Sequence, residues 1–209
     1  EFGNLSRLSS LDLSYQGTIM RVESLSWVSH LRMLRELNLD GADLSETTNW
    51  MSIINNLPFL EVLRMDNCNL PSSLSYINTS NSLQVISLSD NSFNETSIFH
   101  WLSNISRTAT SFSYLDLSLN SFSGGIPSSI GKINSLSYLD LSWNHLEGPL
   151  NNTISNLKYL TLLDLSNNQL QLTSQFVKSL AKLCRLQTLT LDNNNITSEF
   201  YEVTDSLSE

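Results

Sequence analysis

The sequence predicts an α/β repeat solenoid, a right-handed superhelix with a concave parallel β-sheet and short helical turns on its convex side. Three observations carry that prediction. First, nearly one phrase is spelled three times at a pitch of 24 residues, as FSYLDLSLNSFSGGI, LSYLDLSWNHLEGPL and LTLLDLSNNQLQ from Phe112, Leu136 and Leu160. Second, the wider pattern L-x-x-L-x-L-x-x-N-x-L can be laid along the whole chain. Its first apolar position falls at Leu8, Leu34, Leu60, Leu83, Phe112, Leu136, Leu160 and Leu186, in steps of 26, 26, 23, 29, 24, 24 and 26. Third, the apolar spacing between these units changes from two to three or four, which alternates strand with helical turn.

Each unit opens with a strand. In SYLDLSW the alternation has period two, so Leu139 and Leu141 point into the core while Tyr138, Asp140 and Ser142 point out of it. An Asn follows where the chain turns inward and leaves backbone groups without water. Its amide carries donors and an acceptor, so it can bond both kinds of backbone group. The slot holds Asn91, Asn120, Asn144, Asn168 and Asn194, which predicts a ladder of stacked amides. Cys68 takes the slot in the third unit, and Gln16 and Ala42 take it in the first two.

The stretches between strands supply the convex turns. VESLSWVSHL places Val22, Leu25, Val28 and Leu31 at steps of three. SETTNWMSIINNL offers Ser45 and Thr47 as caps ahead of Trp50, Ile53, Ile54 and Leu57. Trp27, Trp50 and Trp101 all sit in such stretches, which predicts convex-side core. No unit can bury its apolar face alone, so stacking must build the core and leave a curved, extended surface. Such a surface serves recognition before chemistry.

The L-x-x-L-x-L-x-x-N-x-L units are identified as leucine-rich repeats. Units five and six add SGGIP at Ser123–Pro127 and EGPL at Glu147–Leu150. With LPFLEVLRMDNCNLP and EFGNLSRLSSLDLS, these phrases resemble the plant-type repeat of receptor-like proteins and receptor kinases, over essentially the whole chain. The resemblance implies a glycosylated ectodomain on the outer side of the plasma membrane, in a single-pass parent. It implies an extracellular peptide, protein or glycan ligand, sensed in immunity or development, and a co-receptor kinase as partner. Secreted inhibitors of cell-wall-degrading enzymes, similar to the polygalacturonase-inhibiting proteins, use the same repeat. So do receptor kinases, whose parent chain is an enzyme. The paired-Cys caps of such ectodomains are missing, and EFGNLSRL reads as the second half of a repeat. The chain therefore reads as one array, residues 1–209, cut at both ends.

Composition narrows the partners. The formal net charge is −9, which disfavours nucleic acid. There is no run of ~18 apolar residues to cross a membrane and no signal peptide at the N-terminus. The six N-x-[ST] sequons at Asn4, Asn78, Asn94, Asn104, Asn151 and Asn195 are glycosylation candidates, and none occupies an outward strand position. Cys68 and Cys184 lie five strands apart, roughly 24 Å, too far for a disulfide, so both are expected to be buried thiols. His30, His100 and His145 fall in different units with no H-E-x-x-H and no nucleophile–base pair. No catalytic site, metal or cofactor is expected.

The candidate binding residues lie on the outward strand positions. Asp116, Asp140 and Asp164 stand in one column, with Asp12 in the first unit. They read either as an attractor for a basic ligand group or as the habitual scaffold letter of LDLS. Around them Tyr114, Leu119, Tyr138, Trp143 and Leu162, with Tyr15 in the first unit, put large apolar groups where a pure scaffold would use Ser. Aromatics of low rotamer entropy make contact anchors, so units five to seven are the expected ligand face.

Overall fold

In each unit a short stretch forms a three-residue strand, because its central Leu or Ile points to one side and its two neighbours to the other. The computed structural model describes residues 5–14, 17, 20–72, 82–94, 97–108, 111–150 and 153–196. Eight such strands are β1 (Ser10–Asp12), β2 (Glu36–Asn38), β3 (Val62–Arg64), β4 (Val85–Ser87), β5 (Tyr114–Asp116), β7 (Tyr138–Asp140), β9 (Leu162–Asp164) and β11 (Thr188–Thr190). They pair in parallel in the order β1-β2-β3-β4-β5-β7-β9-β11. The register is unbroken: Leu63 faces Ile86, Ile86 faces Leu115, Leu115 faces Leu139 and Leu139 faces Leu163. One row of apolar side chains therefore runs the length of the array.

Unit length follows what the convex side must hold. The two 24-residue steps carry only three-residue 3₁₀ turns, at Ile130–Lys132 and Ile154–Asn156. The 26-residue steps hold the five-residue turn Ser26–His30, α1 (Trp50–Asn55) and α3 (Ser174–Leu180), and the 29-residue step holds α2 (Ser97–Thr108). Helical turns are wider than the ~4.8 Å between strands, so the stack curves toward the strands and the sheet becomes its inner face.

The core is leucine over most of its length, with an aromatic block where the helices are longest. Trp50 and Trp101 meet edge to face at 6.0 Å, and Phe99 packs against Phe122 at 4.9 Å. Trp50 and Trp101 are buried as expected, and Trp27 is half-buried against the core. The Trp101 indole donates to the Asn55 amide oxygen at 3.0 Å.

Two expectations are corrected, and one feature is added. Ser45 and Thr47 do not cap α1. Its cap is Asn49, with no side-chain bond, and the buried Thr47 instead donates its hydroxyl to the Leu44 carbonyl at 2.6 Å in the turn ahead of the helix. Cys184 is exposed rather than buried, because Leu183 and Leu186 take the core-facing positions on either side of it. The stretches after the Asn ladder also do more than turn. They form β6 (Ser123–Gly124), β8 (His145–Pro149), β10 (Gln169–Leu172) and β12 (Asn195–Ile196), a second parallel sheet along one lateral edge. Gly124 and Gly148 take φ of 74° and 79° there, a conformation closed to most L-residues.

Candidate ligand-binding face

The ladder that positions this face is present. Asn144 Nδ2 donates to the carbonyls of Leu117, Leu141 and Ser142 at 3.1 Å, and its Oδ1 accepts from Phe122 N–H at 3.1 Å. Asn168 repeats this one coil on, donating to Leu141, Leu165 and Ser166 and accepting from Leu146 N–H. Asn91, Asn120 and Asn194 make the corresponding bonds. Cys68 fits the slot because its thiol donates to the Leu39 and Asp66 carbonyls, at 3.1 and 3.3 Å. Gln16 and Tyr15 lie outside the described residues.

On this frame the predicted residues come together in rows. Tyr114, Tyr138 and Leu162 are register partners on β5, β7 and β9, and so are Asp116, Asp140 and Asp164. The two tyrosine rings stack with centroids 4.1 Å apart and planes 12° apart. Arg64, which sequence reasoning passed over, continues the aspartate row onto β3, through Ser87 of β4. It reaches past Val85 and Ser87 on β4 to lie 6.0 Å from the Tyr114 ring centre. The only signal for it was an Arg in the column that units five to seven fill with Asp.

A third row flanks the aspartates on the other side. Leu119 and Trp143 each precede a ladder Asn, and both are exposed, at 49% and 59%. Both adopt φ of 53°, the left-handed region. The same slot in neighbouring coils holds Asp90, Asn167 and Asn193, residue types that tolerate this conformation. The backbone is pinned by Leu119 N–H to Ser142 O and Trp143 N–H to Ser166 O, each 3.0 Å. Two bulky apolar groups are thus held outward in a conformation that costs them energy.

The aspartates are half-buried between these rows. Each Oδ1 accepts from the Ser two residues on: in Asp140 from Ser142 N–H at 2.9 Å and from its hydroxyl at 2.6 Å. Asp116 and Asp164 bind Ser118 and Ser166 in the same way. Ser142 is therefore buried beneath Asp140 rather than outward as its spacing suggested, because the alternation ends with the strand. One oxygen of each carboxylate closes its own loop; Oδ2 of Asp140 also accepts a long bond from the Tyr138 hydroxyl at 3.5 Å, and Oδ2 of Asp116 and Asp164 is the oxygen left for a partner. In units two and three Asp40 and Asp66 take over, each accepting from a backbone N–H of the next coil at 2.8 Å. Burial pushes the carboxyls of Asp116 and Asp140 above the ordinary 3.8, and the neighbouring aspartates push the same way. The column is thus a strip of incompletely solvated negative charge.

The sequons scatter around this face. Asn94 is exposed in a loop, Asn104 is half-buried on α2, and Asn195 is exposed in β12 of the lateral sheet. Asn4, Asn78 and Asn151 lie outside the described residues. Among the described residues no group of three His, Cys, Asp or Glu side chains could hold a metal ion. No described helix is long and apolar enough to cross a membrane.

Comparison with known proteins agrees with this fold. The Leucine Rich Repeat family matches at residues 82–105, 111–133, 135–157 and 159–183. A tomato (Solanum lycopersicum) protein, Receptor-like protein EIX1, is 33% identical over 138 residues, which is 64% of this chain and 13% of that protein. The crystal structure of the Arabidopsis receptor kinase HAESA, in complex with the peptide hormone IDA and the co-receptor SERK1, superposes with a TM-score of 0.70 at 28% identity. The match covers 93% of this chain and 31% of that one. Internalin C2 of Listeria monocytogenes, with a TM-score of 0.72 over 91% of this chain and 74% of its own, is 20% identical and shares the fold alone. With one Asn ladder and one unbroken sheet through its coils, the chain folds as a leucine-rich-repeat solenoid, and its repeats are similar to those of plant receptor extracellular domains.

Proposed function

We propose that this chain is the ligand-recognition segment of a plant cell-surface receptor, anchored in the plasma membrane and facing outward. Its ligand is an extracellular peptide or an extended segment of a protein, and a co-receptor kinase completes the signalling complex. The tomato relative and HAESA support this reading by resemblance.

One observation carries the assignment of the face. Leu119 and Trp143 are exposed, bulky and left-handed, in a slot where neighbouring coils use Asn or Asp. A side chain kept in an unfavourable conformation is usually kept for contact. Together with the Tyr114–Tyr138 stack they border a trough floored by Asp116, Asp140 and Asp164. Such a trough suits a segment with an apolar anchor and a basic group. Apolar contacts supply most of the affinity and the carboxylates select the charge.

A linear peptide library displayed on phage and selected against the purified protein tests this. Enriched peptides are expected to carry Arg or Lys beside an aromatic residue. Trp143→Asn is the informative variant. It relieves the left-handed strain, so the protein folds at least as well, yet it removes the anchor. A loss of ~2 kcal/mol, about thirtyfold in affinity, is expected. Selection of acidic peptides, or equal binding by Trp143→Asn, would move the ligand away from this face.

A further inference from the structure

In each coil the chain runs from strand to lateral sheet, across the convex side, and back along the opposite edge into the next strand. The residues just before the strands therefore share one edge of the array. Charge is sorted between the two edges. All nine aspartates of the described residues lie between the last residue of a strand of the eight-stranded sheet and the fifth residue past it, where Arg64 is the one Lys or Arg. In the six residues ahead of each strand the balance reverses. Those windows hold seven of the eleven Lys and Arg and a single carboxylate, Glu61. The seven are Arg7, Arg32, Arg35, Lys132, Lys158, Lys182 and Arg185, and all are exposed. Arg35 pairs with Glu61, and the other six have no ion-pair partner among the described residues.

We propose that this leading edge binds a linear carboxylated polysaccharide lying along the solenoid axis. The edge has the furniture for sugar. A groove of about 340 Å³ runs between two adjacent coils, lined by Lys132, Asn134, Asn156, Lys158 and Tyr159. Its floor is backbone held close: a Cβ on Gly131 would sit 2.6 Å from the Thr153 carbonyl oxygen. Tyr159 is 53% exposed, with Arg185 lying 4.7 Å from its ring centre. A second polar groove, of about 490 Å³, opens on the same edge between His30, Arg32, Asn55 and Asn56. Amides serve sugar hydroxyls, an exposed ring serves a pyranose face, and cations spaced by coils serve repeated carboxylates.

The acidic edge of a second copy is the other polyanion within the molecule, and it fits poorly. One oxygen of each of these carboxylates is already taken within the chain. Asp12, Asp43, Asp116, Asp140 and Asp164 each accept from a Ser two residues on, and Asp66 accepts from Ser89. The overall charge of −9 repels nucleic acid from all but this edge.

Titration of oligomeric polygalacturonate into the purified protein at low salt tests the proposal, with fully methyl-esterified polygalacturonate, dextran sulfate and polyglutamate as comparison probes. The expected result is binding of polygalacturonate that weakens with salt, and none of the ester. The triple variant Lys132→Gln, Lys158→Gln, Arg185→Gln should bind about tenfold more weakly. The pair Arg21→Gln and Lys178→Gln, off this edge, should stay within about twofold; each variant should melt like the wild type. Tyr159→Ala should weaken polygalacturonate more than dextran sulfate. Absence of polygalacturonate binding, or an unaffected triple variant, would overturn the site. Polyglutamate binding as tight as polygalacturonate would assign the edge to an acidic protein instead. Salt-sensitive self-association in sedimentation, lost in the triple variant, would assign it to a second copy.

Discussion

Replacing Asn144 by Ala removes four hydrogen bonds, yet the bonds do not weigh equally. The carbonyls it serves have other partners: Leu117 O keeps Asn120 Nδ2, Leu141 O keeps Asn168 Nδ2, and Ser142 O keeps Leu119 N–H. The buried Phe122 N–H loses its acceptor. An orphaned buried donor costs ~1–3 kcal/mol, and that sets the expected loss. Asn144→Asp should cost more than Asn144→Ala, because it keeps the acceptor but turns a second oxygen toward three carbonyl oxygens. The double variant Asn144→Ala, Asn168→Ala should exceed the sum of the singles by ~1 kcal/mol, since only then does Leu141 O lose both amide donors. Chemical denaturation gives the stabilities, and hydrogen exchange of the Phe122 amide gives a local readout that does not assume the array melts as one unit. An unchanged midpoint and unchanged protection at Phe122 in Asn144→Ala would refute the ladder argument.

Other outcomes follow from the same geometry. Leu139→Ala, in a site with no exposure, should cost ~2–5 kcal/mol by denaturation. Gly131→Ala should destabilise by ~1–3 kcal/mol, because its Cβ would press on the Thr153 backbone at 2.6 Å. Iodoacetamide should alkylate Cys184 in the native protein and spare Cys68, whose thiol burial pushes up to about 12; labelling of Cys68 by mass spectrometry would contradict its place in the ladder. Asp140→Asn keeps the acceptor for Ser142 and removes a charge from the column, so at pH 7 it should be neutral or stabilising. The folded-state values of Asp116 and Asp140 are raised, so their favourable contribution is full below the ordinary 3.8 and is lost as pH rises through the raised values. Any advantage of Asp140→Asn over the wild type in thermal melts should therefore shrink as the pH falls through that range.

The fold was legible because each coil repeats a constraint that local chemistry alone explains. A Leu with polar neighbours makes a strand, and an Asn after it satisfies a buried turn. Each strand in fact begins two residues after its pattern-opening Leu or Phe. The lateral sheet was not legible. Its strands are two to five residues long and read as turn chemistry, as in SGGIP, where only pairing to the next coil makes them strands. The capping error at α1 has a similar origin, since Thr47 finds a carbonyl in its own turn before it reaches the helix. In the candidate site the columns were readable from the period, because register carries Tyr114 to Tyr138 and Asp116 to Asp140. Arg64 was not, because its partner Tyr114 lies two strands away. Nor was the left-handed backbone at Leu119 and Trp143, which side-chain type argues against.

The central claim is that recognition belongs to the concave face of coils five to seven. Hydroxyl-radical footprinting with and without a library-selected peptide tests it most directly, since oxidation is read residue by residue. The account predicts that Trp143, Tyr138 and Tyr114 lose reactivity on binding while Tyr159, on the leading edge, keeps it. Protection of Tyr159 with Trp143 unchanged would contradict it and move recognition off the sheet.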